Sequence, residues 1–144
     1  MDNSRSNTFI KRAAIAALAC TLITVLSYLL FQTYNRPRMA LLSKIQIALV
    51  GNRIDMNNVS IDRLIEAGLL NATEVEQAGF VSIKSCQNAD GTFLWWATAS
   101  PVHPLQGNCY YINSKGERYY HLKPFTFEVD SETGLPPKFV TNQW

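Results

Sequence analysis

The pattern of hydrophobic and polar positions divides the chain into an anchor and a folded part. Residues 13–31 form a run of 19 residues without a charge, rich in alanine and leucine. As an α-helix rising about 1.5 Å per residue, the run spans roughly 28 Å, close to the thickness of a bilayer's hydrocarbon core. We therefore predict one transmembrane helix that contacts the lipid bilayer, preceded by a polar N-terminal stub at residues 1–12.

A helical period continues beyond the anchor, in a segment of stem and linker at residues 32–58. Pro37 can open or kink a second helix, because a residue in the first turn donates no intrahelical hydrogen bond. Gly51 is a suitable end for this helix. Apolar residues between them recur at helical spacing: Leu41, Leu42, Ile45, Ala48 and Leu49. The pattern predicts a stem helix whose apolar stripe packs against a domain at residues 59–144.

Two short helices are predicted at the start of this domain. Ser60 is a suitable N-cap for a helix over residues 61–67. Thr73 and Glu76 match a capping box for a second short helix, which ends at Gly79. Two short helices that each end at a glycine form a compact connector.

From Phe80 onward the period changes from helical to alternating. Five strands are predicted, at residues 80–83, 92–98, 109–112, 117–121 and 125–129. The third and fourth flank Asn113-Ser114-Lys115-Gly116, a strong hairpin signal. The fold class is therefore α+β, with a transmembrane helix and stem followed by a small antiparallel sheet of four to five strands with short helices.

The cysteines suggest a disulfide and a compartment. Cys20 lies within the anchor, which leaves Cys86 and Cys109 as an even pair in a small domain. A bridge between them would close a loop of about 24 residues, worth roughly 3.5 kcal/mol in the chain-entropy model. Such a bridge suits an oxidising compartment. We predict one disulfide and place the domain in the periplasm of a Gram-negative bacterium.

The charges that flank the anchor do not decide its orientation. Three basic residues precede the apolar run and three follow it, so the positive-inside rule is close to a tie: Arg5, Lys11 and Arg12 before, Arg36, Arg38 and Lys44 after. A cleaved signal peptide or a lipoprotein signal ending at Cys20 are the alternatives to a retained anchor. The run is longer than a signal peptide needs, which favours a single-pass protein of the bacterial inner membrane.

Three aromatic doublets lie on the predicted strands, at residues 95–96, 110–111 and 119–120. Adjacent strand residues point to opposite faces, so both faces of the sheet carry large rings. One face can pack on the stem helix, and the other is covered either by the chain's own loops or by a partner. If Ile112 pairs with Glu117, Tyr110 faces Tyr119 and Tyr111 faces Arg118. The predicted interaction residues are Trp95, Trp96, Tyr110, Tyr111, Arg118, Tyr119 and Tyr120.

No motif specifies a reaction. The possible metal ligands have the spacing of no zinc module: Cys86, His103, Cys109 and His121. Cys109 and His121 would form a nucleophile and base, but a disulfide removes the thiolate. A net charge of +2 does not indicate nucleic-acid binding. We expect no enzyme, no cofactor and no nucleic-acid partner.

The layout of an apolar N-terminal helix, a stem and an antiparallel sheet is similar in outline to that of type IV pilins and pseudopilins. Pilins carry a glycine before the processing site and a glutamate at the fifth mature position, and Thr8-Phe9-Ile10-Lys11-Arg12-Ala13 has neither. The resemblance implies a structural or assembly protein of the envelope that contacts copies of itself or another envelope protein.

Two other functions suit the same pattern. The first is a periplasmic sensor or accessory partner that binds and stabilises a transmembrane regulator. The second is a small-ligand or glycan-binding domain in which Trp95 and Trp96 form a stacking platform.

Overall fold

The computed structural model describes residues 3–52, 54–103, 106–121, 141, 142 and 144. The helices are α1 (Asn3–Leu30), a π-helical segment (Phe31–Asn35), α2 (Arg36–Gly51), a 3-10 turn (Met56–Asn58), α3 (Ile61–Glu66) and α4 (Ala72–Ala78). The strands are β1 (Phe80–Gln87), β2 (Phe93–Ser100), β3 (Cys109–Asn113), β4 (Arg118–His121) and β5 (Thr141–Asn142). The α+β class predicted from the sequence is confirmed.

One continuous helix carries both the predicted anchor and the predicted stem. The stretch Thr8–Gly51 is 44 residues long and, by length and composition, apolar enough to cross a membrane. Its most apolar window is not buried by the part of the chain that the structure describes. Helical structure begins at Asn3, so the polar residues before the apolar run continue the same helix.

Pro37 accounts for the π-helical segment between α1 and α2. In a regular α-helix, the proline ring would collide with the carbonyl of Thr33 four residues earlier, and proline has no N–H to bond it. The chain widens its turn just before the proline, and the Arg36 N–H donates to the carbonyl of Phe31, five residues back. The helix therefore passes the proline without ending.

The predicted stripe on α2 is buried, as expected from its helical spacing. Its members are at most 7% exposed: Leu41, Leu42, Ile45, Ala48 and Leu49. The helix packs across β2 and β3, the central part of an antiparallel sheet with strand order β1-β2-β3-β4-β5. The hydrophobic core lies between this helix and one face of the sheet.

The predicted N-cap is confirmed for α3 and wrong for α4. The Ser60 hydroxyl accepts a hydrogen bond from the Arg63 N–H and begins α3, as predicted. The prediction that Thr73 caps α4 is wrong, because Asn71 accepts a hydrogen bond from the Thr73 N–H at 2.8 Å and takes that place. Both Asn and Thr are good caps, so the local pattern did not separate them.

The predicted disulfide is wrong. Cys86 pairs with Leu94 of β2, whereas Cys109 precedes Tyr110, which pairs with Ala99 of the same strand. The two cysteines are thus separated by the whole of β2 and by about six positions along it, about 20 Å at roughly 3.3 Å per residue. A disulfide needs Cα atoms within about 7 Å of each other. Without this bridge, the cysteines no longer favour an oxidising compartment for the domain.

The β3–β4 register differs by one residue from the prediction. The Asn113 N–H donates to the Glu117 carbonyl, and the Gly116 N–H donates to the Asn113 carbonyl at 2.9 Å. The loop therefore has three residues and closes with Gly116 at φ +79°, where glycine is favoured. Tyr111 consequently faces Tyr119.

The last strand next to β4 is Thr141–Asn142. The strand predicted at residues 125–129 lies outside the described residues.

Candidate functional site at the joint between anchor and domain

The aromatic doublets on β2 and β3 belong to the interior of the chain. Trp95 and Tyr110 pack in the core with α2. Trp96 and Tyr111, their neighbours in the chain, point to the opposite face of the sheet, and all four side chains are at most 7% exposed. A buried ring contacts a partner only if the domain opens, so these four residues are first of all core residues.

The β4 members of the predicted interaction set are partly exposed. The Tyr111 and Tyr119 rings meet edge to face at 5.6 Å between centroids. The Arg118 guanidinium lies 4.8 Å above the Trp144 ring and donates to the Gln46 side chain at 3.1 Å. The predicted pairing of Tyr111 with Arg118 is therefore wrong, because the shifted register pairs Arg118 with Ile112, on the face of the sheet that packs against α2. An interaction role for Arg118, Tyr119 and Tyr120 stays a prediction.

Polar contacts join the start of α2 to the loop between β2 and β3. Asn35 is buried, and its Oδ1 accepts a hydrogen bond from the Asn108 N–H at 2.9 Å. Gly107 has φ +102°, and a Cβ there would lie 2.5 Å from Asn35 Oδ1. Only glycine lets the loop backbone approach the helix this closely.

Arg38 makes the strongest link across the joint. Its side chain is 1% exposed, Nε donates to the Ala78 carbonyl at 3.0 Å, and Nη1 donates to the carbonyls of Gln106 at 2.9 Å and Asn108 at 3.3 Å. Burial lowers the pKa of the guanidinium below its ordinary value, because desolvation disfavours the charged form. Within the described ranges, no carboxylate forms an ion pair with Arg38. Among the described residues, backbone carbonyl groups hold this buried cation. Losing one of these contacts while the guanidinium stays buried would leave part of it unsatisfied.

Sequence reasoning missed Asn35 and Arg38 as structural residues. It counted Arg38 among the charges that flank the anchor, yet the structure buries it against the domain. A signal was available, because residues 35 and 38 continue the spacing that leads to Leu41 and Ile45. A polar residue on the buried stripe of a helix must find buried partners.

Two grooves flank the helix at the joint, and both are lined by Gln32, Arg36 and Ala40. The first, of about 250 Å³, extends along α4 to the ion pair between Lys44 and Glu74. The second, of about 400 Å³, extends toward Arg118 and Trp144. Each combines apolar walls with cationic and amide groups, a surface that suits a polar protein segment.

The residues considered as metal ligands or nucleophiles do not come together as a set. The register places Cys109 opposite His121, and Cys109 is fully buried. Cys86 lies at the far end of β1, and His103 lies in the loop after β2. In the part of the chain that the structure describes, no group of three or more His, Cys, Asp or Glu side chains could hold a metal ion.

The fold thus defines a chain with one long helix, exposed and apolar in its first part and covered by an antiparallel sheet in its second. No protein-family model matches this chain, and no curated protein or solved structure shows significant similarity to it.

Proposed function

We propose that this protein is a single-pass, membrane-anchored assembly protein of the bacterial envelope that acts through protein–protein contacts, like a pilus- or secretion-type component. One observation carries the proposal: the helix Thr8–Gly51 is exposed along its apolar part, and one face of the rest is buried by its own domain. A helix that is apolar all round needs lipid or other helices around it.

The joint supports an assembly role. Asn35 and Arg38 bind the domain to the first turns after the apolar segment. The position of the domain relative to the anchor is therefore defined by hydrogen bonds, whereas a tether needs only a flexible linker. In an assembly, packing of neighbouring helices would then also set the packing of neighbouring domains.

The proposed location is the inner membrane with the domain in the periplasm. Since the disulfide prediction is wrong, the periplasmic location of the domain is supported by the likeness in layout to pilins and pseudopilins, whose domains face away from the cytoplasm. The proposed activity is not enzymatic.

The alternative of an accessory partner for another membrane protein is favoured by the grooves beside Arg36. They lie just beyond the apolar segment, where the stem of a neighbouring membrane protein would pass. The glycan-binding alternative receives no support, because both Trp95 and Trp96 are buried.

Cys20 offers a test, since it is exposed in the middle of the apolar segment. We expect mild oxidation of membranes containing the full chain to produce a reducible dimer, because assembled anchors would bring two Cys20 thiols together. The dimer should survive dilution of the membranes with excess lipid, which separates chains that meet only by collision.

Single variants identify the thiol involved. Cys20→Ser should abolish the dimer, and Cys86→Ser should leave it intact. A chain that stays monomeric would contradict self-assembly. A reducible adduct with a different membrane protein would favour the accessory-partner alternative.

A further inference from the structure

We propose that the domain makes a second contact with the bilayer, through Phe80 and Val102 at its anchor-proximal end. This inference rests on the proposed function, because it takes the apolar helix to span a membrane. The occupant of the surface is lipid at the boundary between headgroups and acyl chains.

Hydrogen bonds fix which end of the domain lies near the anchor. The Arg38 guanidinium binds the carbonyl of Ala78, just before β1, and the carbonyls of Gln106 and Asn108, just before β3. Both loops therefore lie level with residues 35–38. At about 1.5 Å per residue, this is about 6–10 Å along the helix from Phe31, where the apolar run ends.

The opposite end of the domain is equally well defined. The β3–β4 turn approaches α2 near its C-terminal part, where a Cβ on Gly116 would lie 3.3 Å from the Gln46 amide. The strands thus run between an anchor-proximal end and a distal end.

Exposed apolar side chains occur at both ends. Four large hydrophobic side chains are markedly exposed among the described residues after Phe31, and they form two pairs. Ile47 and Val50 lie toward the C-terminal end of α2 and are 70% and 72% exposed. Phe80 and Val102 lie at the anchor-proximal end and are 66% and 63% exposed.

The backbone beneath Phe80 and Val102 is closely packed. Phe80 pairs with Ser100 in the β1–β2 ladder. Gly79 has φ +91°, and a Cβ there would lie 2.5 Å from the Ser100 carbonyl oxygen and 3.4 Å from the Val102 nitrogen. The backbones on which these two residues lie are therefore close together, at a turn that is tied to the helix through Ala78 and Arg38.

The position of this pair matches the membrane interface. The polar layer on each side of a bilayer is about 5–8 Å thick. A pair level with residues 35–38, about 6–10 Å from the end of the apolar run, therefore lies at the outer part of this layer. The same region of the helix exposes Tyr28 and Arg36, residue types that favour the interface. Beside a membrane anchor, an exposed phenylalanine and valine gain by leaving water for this layer.

The test uses the full chain in phosphatidylcholine vesicles, with a photoreactive benzoylphenylalanine at one position at a time. Phe80 and Val102 are the test positions. Ile47 is the matched control, equally apolar and exposed but toward the other end of the domain, and Leu22 reports on the anchor itself. Lipid adducts are measured by mass spectrometry after illumination.

We expect adducts with lipid at Leu22, Phe80 and Val102, with a yield at the latter two several-fold above that at Ile47. Adducts at Leu22 with no excess at Phe80 and Val102 over Ile47 would overturn the inference and leave the membrane span standing. Absence of lipid adducts at Leu22 would overturn both. A cross-link from Phe80 to a second copy of the chain would show a protein interface in place of lipid.

Discussion

Arg38 and Asn35 show how single polar residues orient a helix. An apolar stripe such as that of α2 can slide or rotate on a sheet at modest cost, because dispersion and desolvation have little direction. Hydrogen bonds from one guanidinium to three particular carbonyls do have direction. We conclude that the polar joint sets the rotation and height of the helix, while the stripe supplies most of the buried apolar area.

A substitution at Gly107 measures how tightly the loop before β3 packs against Asn35. Gly107→Ala should lower the free energy of unfolding of the full chain in detergent by about 2–3 kcal/mol, because alanine is strained at positive φ and its Cβ would collide with Asn35. Urea unfolding followed by tryptophan fluorescence gives the value.

Gly91→Ala is the matched control for the Gly107 variant. Gly91 also has positive φ, but a Cβ there would meet only the Gln87 amide at 3.8 Å. The Gly91→Ala variant should lower the free energy of unfolding by about 1 kcal/mol, the cost of backbone strain alone. Equal losses for the two variants would show that the Asn35 contact is not tight.

At the scale of elements, β3 is the most buried of the four strands β1 to β4. All five of its residues are buried, and it carries Tyr110 and Tyr111 to opposite faces of the sheet. Burial raises the pKa of both phenols above their ordinary value, since a desolvated phenolate is disfavoured.

These shifts predict a loss of stability in alkali. Each phenol has a higher pKa in the folded than in the unfolded state, so the stabilisation is complete below about pH 10 and decreases as the pH rises above it. Urea midpoints of the full chain measured between about pH 9 and pH 11 should therefore fall. The double variant Tyr110→Phe/Tyr111→Phe should reduce this slope, and an unchanged slope would refute the assignment.

At the scale of the whole molecule, the apolar segment and the domain are joined by one helix and by the polar contacts of Asn35 and Arg38. The domain therefore extends away from the end of the apolar segment, with the β3–β4 turn at its distal end. Lys115 is exposed in this turn. It is a suitable reporter of the side of the membrane on which the domain lies.

The reporter variant is Lys115→Cys, in a chain that also carries Cys20→Ser and Cys86→Ser. Cys109 is buried and shielded from reagent. We expect an impermeant maleimide to label residue 115 in cells whose outer membrane alone is permeabilised. Labelling that requires lysis of the inner membrane would place the domain in the cytoplasm.

Local patterns in the sequence predicted the anchor-length helix, the stripe on α2, the Ser60 cap and four of the strands. These predictions succeeded because the periodicity of a helix or a strand is visible in residues that lie close together in the chain. The pattern did not predict the hairpin register, because the strands can pair with a loop of three or of four residues, and the observed pairing of Asn113 with Glu117 gives three.

What the sequence alone determined is therefore the kind of each element and the face it buries. The tertiary structure decided which elements meet: it separates Cys86 from Cys109 across β2, buries both aromatic doublets of β2 and β3, and places Arg38 against three carbonyls. These outcomes depend on strand register and on contacts between residues 40 to 70 positions apart. No short-range period contains that information, because such contacts form only when the whole domain has packed.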